Sequence, residues 1–255
     1  MTAALDFTPA PGAAPLHRMV LAQAGAEVRA VLRNGEQLLL TLIIPVLVLV
    51  GFSAAPLLEL PGRRVDFVAP GVLALAVMST AFTGQAIGTG FERRYGVLKR
   101  LGATPLSRAG LLLAKTLAVI VVEALQVVVL GAVALAMGWR PHGGLLWAGA
   151  LILAGTAAFS GLALLMAGTL RAEATLAAAN LVYLVLLGIG GVVIPVTAFP
   201  DGLRAVTDLL PITALTGGLR SVLGGESGPP AAALLILLAW AALSLGLASR
   251  TFRWE

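Results

Sequence analysis

The 255-residue chain is 59% hydrophobic and only 11% charged, with a formal net charge of +5 and no cysteine. Its mean hydropathy of +0.98 exceeds what one soluble core can hide, since soluble domains carry about 45–50% apolar and roughly 25% charged residues. Without cysteine there are no disulfides, thiol nucleophiles or thiolate metal sites, and two lone histidines, His17 and His142, offer no metal cluster.

The apolar runs are long and unbroken rather than alternating, which predicts an all-α polytopic membrane protein and not a barrel. Residues 1–15, rich in Ala and Pro, are expected to be a disordered tail, with no cleavable signal sequence; residues 16–255 are expected to form a single membrane domain. Over residues 16–34, Leu16, Val20, Ala24, Val28, Val31 and Leu32 recur at helical spacing, opposite Arg18, Arg29 and Arg33. That pattern predicts an amphipathic helix in the headgroup layer that also touches a cytoplasmic partner.

A spanning helix needs ~20 mostly apolar residues. Six runs qualify: 37–57, 67–91, 110–138, 145–169, 175–198 and 230–249. Pro45 is expected to kink the first, and Gly188, Gly190, Gly191 and Pro195 to weaken or kink the fifth near its outer half. Between the second and third spans, Val97, Leu98 and Leu101 sit among basic residues, and Gly102 to Pro105 read as a helix stop. A short helix parallel to the membrane fits, with its apolar side chains free to enter a partner's groove. Before the last span, Pro200-Asp201-Gly202 opens a segment broken at Leu210-Pro211 and closed at Gly224-Gly225, with Asp201 as the expected N-cap. Two short half-helices cannot span, so they are expected to dip into or cap the outer leaflet.

Of the 17 Lys and Arg residues, Arg63, Arg64, Arg140, Arg204 and Arg220 fall on one side of the spans and the rest on the other. The positive-inside rule makes the second side cytoplasmic, with both termini on it.

No catalytic constellation, dinucleotide fingerprint or GxxxxGK[ST] phosphate loop is present, so ATP used in transport would have to be hydrolysed by another subunit. Polar residues inside spans are candidates for function. Here they are Glu123 in the third span, Gln126 one turn away, and Gln85 and Asn180 in neighbouring spans. Glu123 is read either as a substrate or proton site, or as a carboxyl bonded to Gln126 or a backbone carbonyl that holds helices together.

The stretch Glu92-Arg93-x-x-Gly96-x-Leu98-x-x-Leu101-x-x-Thr104-Pro105-Leu106, followed by Lys115 and a long apolar run, resembles the signature loop of ABC type-2 exporter permeases of the daunorubicin-resistance and polysaccharide-export kind. Leu210-Pro211-Ile-Thr-x-x-x-x-Gly218-Leu-Arg220 and the closing Phe252-Arg-Trp-Glu are similar to that family's patterns near and after its last span. The resemblance implies a bacterial cell-membrane exporter made of two permease chains, as homodimer or heterodimer, and two ATP-binding subunits that hold ATP and Mg, with no cofactor in this chain. It implies that residues 16–34, with Arg18, Arg29 and Arg33, form an interface helix. Glu92, Arg93, Arg94, Gly96, Leu98, Leu101, Thr104 and Pro105 would couple to the ATP-binding subunit, and 200–223 would be re-entrant outer helices. Substrate, a lipophilic drug, lipid or glycolipid, would pass along the dimer axis beside spans one, two and five, with Gln85, Glu123, Asn180, Gly188 and Pro195 as candidate path residues. On this reading Arg94→Glu or Leu98→Asp uncouples ATPase activity from transport. The alternatives are a proton-coupled secondary transporter using Glu123, against which stands the lack of an internal repeat, and a non-transporting assembly protein.

Overall fold

A computed structural model describes residues 12–55, 63–192, 195–196, 199–226 and 228–252. Most of the expected tail, most of the short loop after the first apolar run, the end of the fifth predicted span and the closing Arg-Trp-Glu lie outside them. All regular structure among the described residues is helical: α1 (Leu16–Arg33), α2 (Gly35–Ala54), α3 (Arg64–Val77), a π-helical segment (Met78–Gly84), α4 (Gln85–Arg94), α5 (Val97–Gly102), α6 (Arg108–Ala136), α7 (Leu145–Thr169), α8 (Ala172–Ile189), α9 (Asp201–Thr207), α10 (Pro211–Leu223) and α11 (Ala231–Thr251). Among the described residues, five helices are long and apolar enough to cross a membrane: the continuous Arg64–Arg94 helix, α6, α7, α8 and α11. The apolar stretch Thr41–Ala54 of α2 is shorter.

Burial explains the arrangement. The Arg64–Arg94 helix and α7 are the most enclosed, and α11 packs along α7. α10 is almost wholly buried, wedged among α3, α7 and α11, so a 13-residue helix that cannot span is covered by protein. Backbone at membrane depth tolerates interruption only where protein covers it in this way. The carbonyl of Leu209, at the break before α10, accepts from Trp240 Nε1 of α11 at 2.9 Å. α9 lies outside that core, with Leu203, Val206 and Leu209 exposed. Its N-cap is Pro200; Asp201 falls in the first turn instead, where a carboxylate still favours the positive end of the helix.

Helix ends gather in two sets. At one end α1, α5 and the near ends of α6, α7 and α11 share a second core of Val20, Ala24, Leu98, Leu111, Leu164 and Phe252. At the other, Arg140 N donates to Asp66 Oδ1 at 3.3 Å and His142 N to the Leu223 carbonyl at 3.0 Å. Both described termini therefore sit at the α5 end.

The expected kink in the fifth apolar run is instead a helix end. α8 stops at Ile189 with Gly190 as C-cap, and the carbonyls that follow bind a side chain rather than a further turn. Arg220 of α10 donates to Gly191 O at 2.6 Å, Val192 O at 2.7 Å and Phe67 O at 3.2 Å, and stacks over the Phe67 ring at 3.5 Å. One cation thus ties α10, α3 and the post-α8 backbone together. The approach needs Gly71, where an added Cβ would lie 2.5 Å from Val192 O and 2.9 Å from Arg220 Nη2. Gly71→Val is expected to destabilise the protein by about 1–3 kcal/mol, since the obstructing atom is backbone and yields poorly. Thermal melting in detergent measures it, and an unchanged melt would show that the clasp is dispensable.

Candidate functional site

The α4–α5–α6 elbow is built from local rules. Gly96 takes the left-handed conformation, φ 72°, that ends α4 and starts α5 without a side-chain clash. Thr104 Oγ1 donates to Leu101 O at 2.6 Å, turning the chain before Pro105, and Ser107 Oγ caps α6 by accepting from Gly110 N at 3.1 Å.

The side chains of α5 divide in a way the apolar pattern did not anticipate. Leu98 is 0% exposed and anchors the elbow in the second core, and Leu101 packs half-buried beside it. Leu98 is therefore not free to enter a partner's groove, as its place in the motif suggested. Neighbours on a helix point about 100° apart, so Val97 cannot follow Leu98 inward. Val97 is exposed instead, as are Arg100, Thr104, Pro105 and Tyr95, the last at 69% with its ring stacked on Phe91.

Behind this surface is a buried ionic cluster. Lys115 Nζ of α6 donates to Glu92 Oε2 of α4 at 2.6 Å and to Glu27 Oε1 of α1 at 3.0 Å, with the Lys115 side chain only 5% exposed. Gln23 Nε2 also donates to Glu27 Oε1, at 2.9 Å. The lysine so joins the amino-terminal helix, the elbow and the longest spanning helix but one. Sequence reasoning placed Glu92 and Lys115 in a motif but missed their pairing, and missed Glu27 altogether. The signal was there: Glu27 is the lone carboxylate of α1 and shares the face of Val20, Ala24 and Val31, at spacings of four, three and four. Further out, Arg94 pairs with Glu173 of α8 in an exposed bridge, and Arg93 Nη2 donates to the Leu170 carbonyl. Arg18, Arg29 and Arg33 are exposed on α1, beside the exposed Leu21 and Leu32.

The candidate path residues are not brought together. Glu123, 2% exposed, accepts from the Thr156 hydroxyl of α7; its other oxygen has no partner, and Gln126 is engaged elsewhere. Gln85 is buried with both amide atoms unpartnered. Asn180 and Gly188 lie on an exposed face of α8 with Leu181, Leu184 and Val185, and Pro195 is half-buried beyond its end.

Gln126 serves a different purpose. Pro45 has no N–H, so the Thr41 carbonyl four residues earlier loses its helical donor. Gln126 Nε2 supplies one at 3.0 Å, while its Oε1 accepts from Thr80 Oγ1 of the π-helical segment at 2.9 Å. A single buried amide thus bridges the Pro45 turn of α2 and the π-helical segment, two departures from regular α geometry.

The elbow is thus held against α1 and α6, and its outer face is exposed. Comparison with curated proteins finds no match. The sequence model of the ABC-2 type transporter matches residues 20–223, which takes in α1, the elbow, the buried lysine cluster and α10. By that match the chain, a multi-pass membrane protein, belongs to the ABC-2 type transporter family.

Proposed function

We propose that this chain is the permease subunit of an ATP-binding-cassette exporter. It moves a lipophilic drug, lipid or glycolipid-type substrate out of the cytoplasm, driven by a separate subunit that binds ATP and Mg. The reading rests above all on the elbow: Tyr95, Val97 and Arg100 face outward, while Leu98 and the Glu92–Lys115–Glu27 cluster bind the same segment to α1, α4 and α6. A push on α5 is then passed directly to spanning helices.

On this reading α2 is a sixth span, α1 an interface helix, and α9–α10 a re-entrant pair at the outer surface. Both termini and the elbow lie on the cytoplasmic side of a bacterial membrane, the side richer in Arg and Lys. A second permease chain completes the path, with the exposed α8 face of Asn180, Leu184 and Gly188 turned toward it or toward substrate.

The test is V97D/R100E, purified with its ATP-binding subunit in proteoliposomes. We expect ATP hydrolysis to continue while transport falls at least tenfold, which corresponds to about 1.4 kcal/mol of lost coupling. Normal transport would overturn the coupling role of α5. Transport that follows a pH gradient without ATPase activity, and is lost in Glu123→Gln, would replace this reading with a proton-coupled carrier.

A further inference from the structure

A pocket of about 470 Å³ opens between the α5-side ends of α6, α7 and α11, lined by Arg108, Thr169, Arg250, Thr251 and Phe252. Its lining shares no residue with the exposed face of α5 or with the buried lysine cluster. Its two arginines come from helices far apart in the sequence, α6 and α11, and among the described residues no carboxylate lines it. Each hydroxyl already donates to its own helix, Thr169 to Leu165 O at 2.7 Å and Thr251 to Leu247 O at 2.8 Å, leaving oxygen lone pairs free to accept. The pocket thus offers cationic donors for an anion and neutral acceptors for hydroxyls.

Its setting narrows the ligand. Arg250 continues a face of α11 whose preceding members, Leu247 and Leu243, are exposed at spacings of three and four. A guanidinium at the end of an exposed leucine strip on a spanning helix matches a lipid, with headgroup at the end and chains along the strip. The Arg-rich side of a membrane protein also faces the leaflet that carries anionic lipid.

We propose that this pocket binds the headgroup of an anionic phospholipid. Arg108 and Arg250 hold the phosphate, the two threonine oxygens accept headgroup hydroxyls, and an acyl chain lies on Leu243 and Leu247. Bound there, the lipid joins the ends of α6, α7 and α11, whichever substrate the protein carries.

The full chain, purified in detergent, is offered phosphatidylglycerol, phosphatidylcholine or inorganic phosphate, and bound lipid is counted by native mass spectrometry alongside thermal melting. Phosphatidylglycerol is expected to be retained roughly thirtyfold better than phosphatidylcholine, the worth of two arginines at a membrane surface. R108Q/R250Q is expected to lose that preference, while R140Q, at the opposite end, keeps it. If the double variant does not accumulate, R250Q alone is expected to lose roughly fivefold. Equal retention of the two lipids, or a preference that survives loss of the arginines, overturns the proposal. Inorganic phosphate that stabilises as fully as phosphatidylglycerol also overturns it, by making the pocket a free-anion site.

Discussion

Replacing the buried Lys115 with methionine is expected to destabilise the protein by about 3–5 kcal/mol, the largest effect of any single substitution considered, because it leaves two half-buried carboxylates with no cation between them. Glu27 and Glu92 would then face each other across the gap that Lys115 Nζ now fills at 3.0 and 2.6 Å. Either carboxylate alone is more dispensable. Glu92→Gln keeps the Glu27 pair and gives the lysine an amide oxygen in place of the carboxylate, so its melting point should fall much less. The triple change E27Q/K115M/E92Q removes the unpaired charges and should recover most of the loss. Membrane-fraction yield and detergent melting curves for the set decide the matter. A K115M protein that melts like wild type would show that the cluster is not a structural joint.

Gln126→Leu ranks second. It removes the Gln126 hydrogen bonds to the Thr41 carbonyl and from the Thr80 hydroxyl, and a buried polar group that loses its partner costs about 1–3 kcal/mol. Interhelical hydrogen bonds in membranes average only about 0.6 kcal/mol because freed groups find other partners. Here the Thr41 carbonyl lacks the helical donor that residue 45 would otherwise supply, because that residue is Pro45. The sharper measurement is therefore a cycle with Pro45→Ala, which restores the missing N–H. Gln126→Leu should cost less in the P45A background than in wild type, by about 1 kcal/mol, the worth of one hydrogen bond. Equal costs in both backgrounds would mean that Gln126 does not stand in for the proline.

Long apolar runs made the helices easy to read, because a lipid-exposed helix must be apolar over its whole length. α6, α7 and α11 begin and end within a few residues of their predicted limits. The fifth run misled for a physical reason: Gly190 to Val192 keep their hydropathy while losing their helix, and Arg220, in another helix, supplies donors for the Gly191 and Val192 carbonyls. Hydropathy averages do not see such a partner. The elbow was legible as a motif, but its two faces were not. Whether Leu98 or Val97 points inward depends on where Val20 and Leu164 stand, and those come from helices distant in sequence. Glu27 was lost in an arginine-rich helix whose charges were read as one solvated face. Its position opposite them marked a buried partner.

The division of labour on α5 also bears on how this surface can change. Leu98 and Leu101 hold the six-residue helix in place, while Tyr95, stacked on Phe91, Val97 and Arg100 are exposed outside that core. Substitutions at exposed positions of that kind usually shift stability by no more than about 0.5 kcal/mol. With α5 as the proposed coupling surface, recognition and folding place separate demands on one short stretch of chain. Under the proposed function, the outward residues can change along with an ATP-binding partner, while the inward ones stay fixed by the bundle.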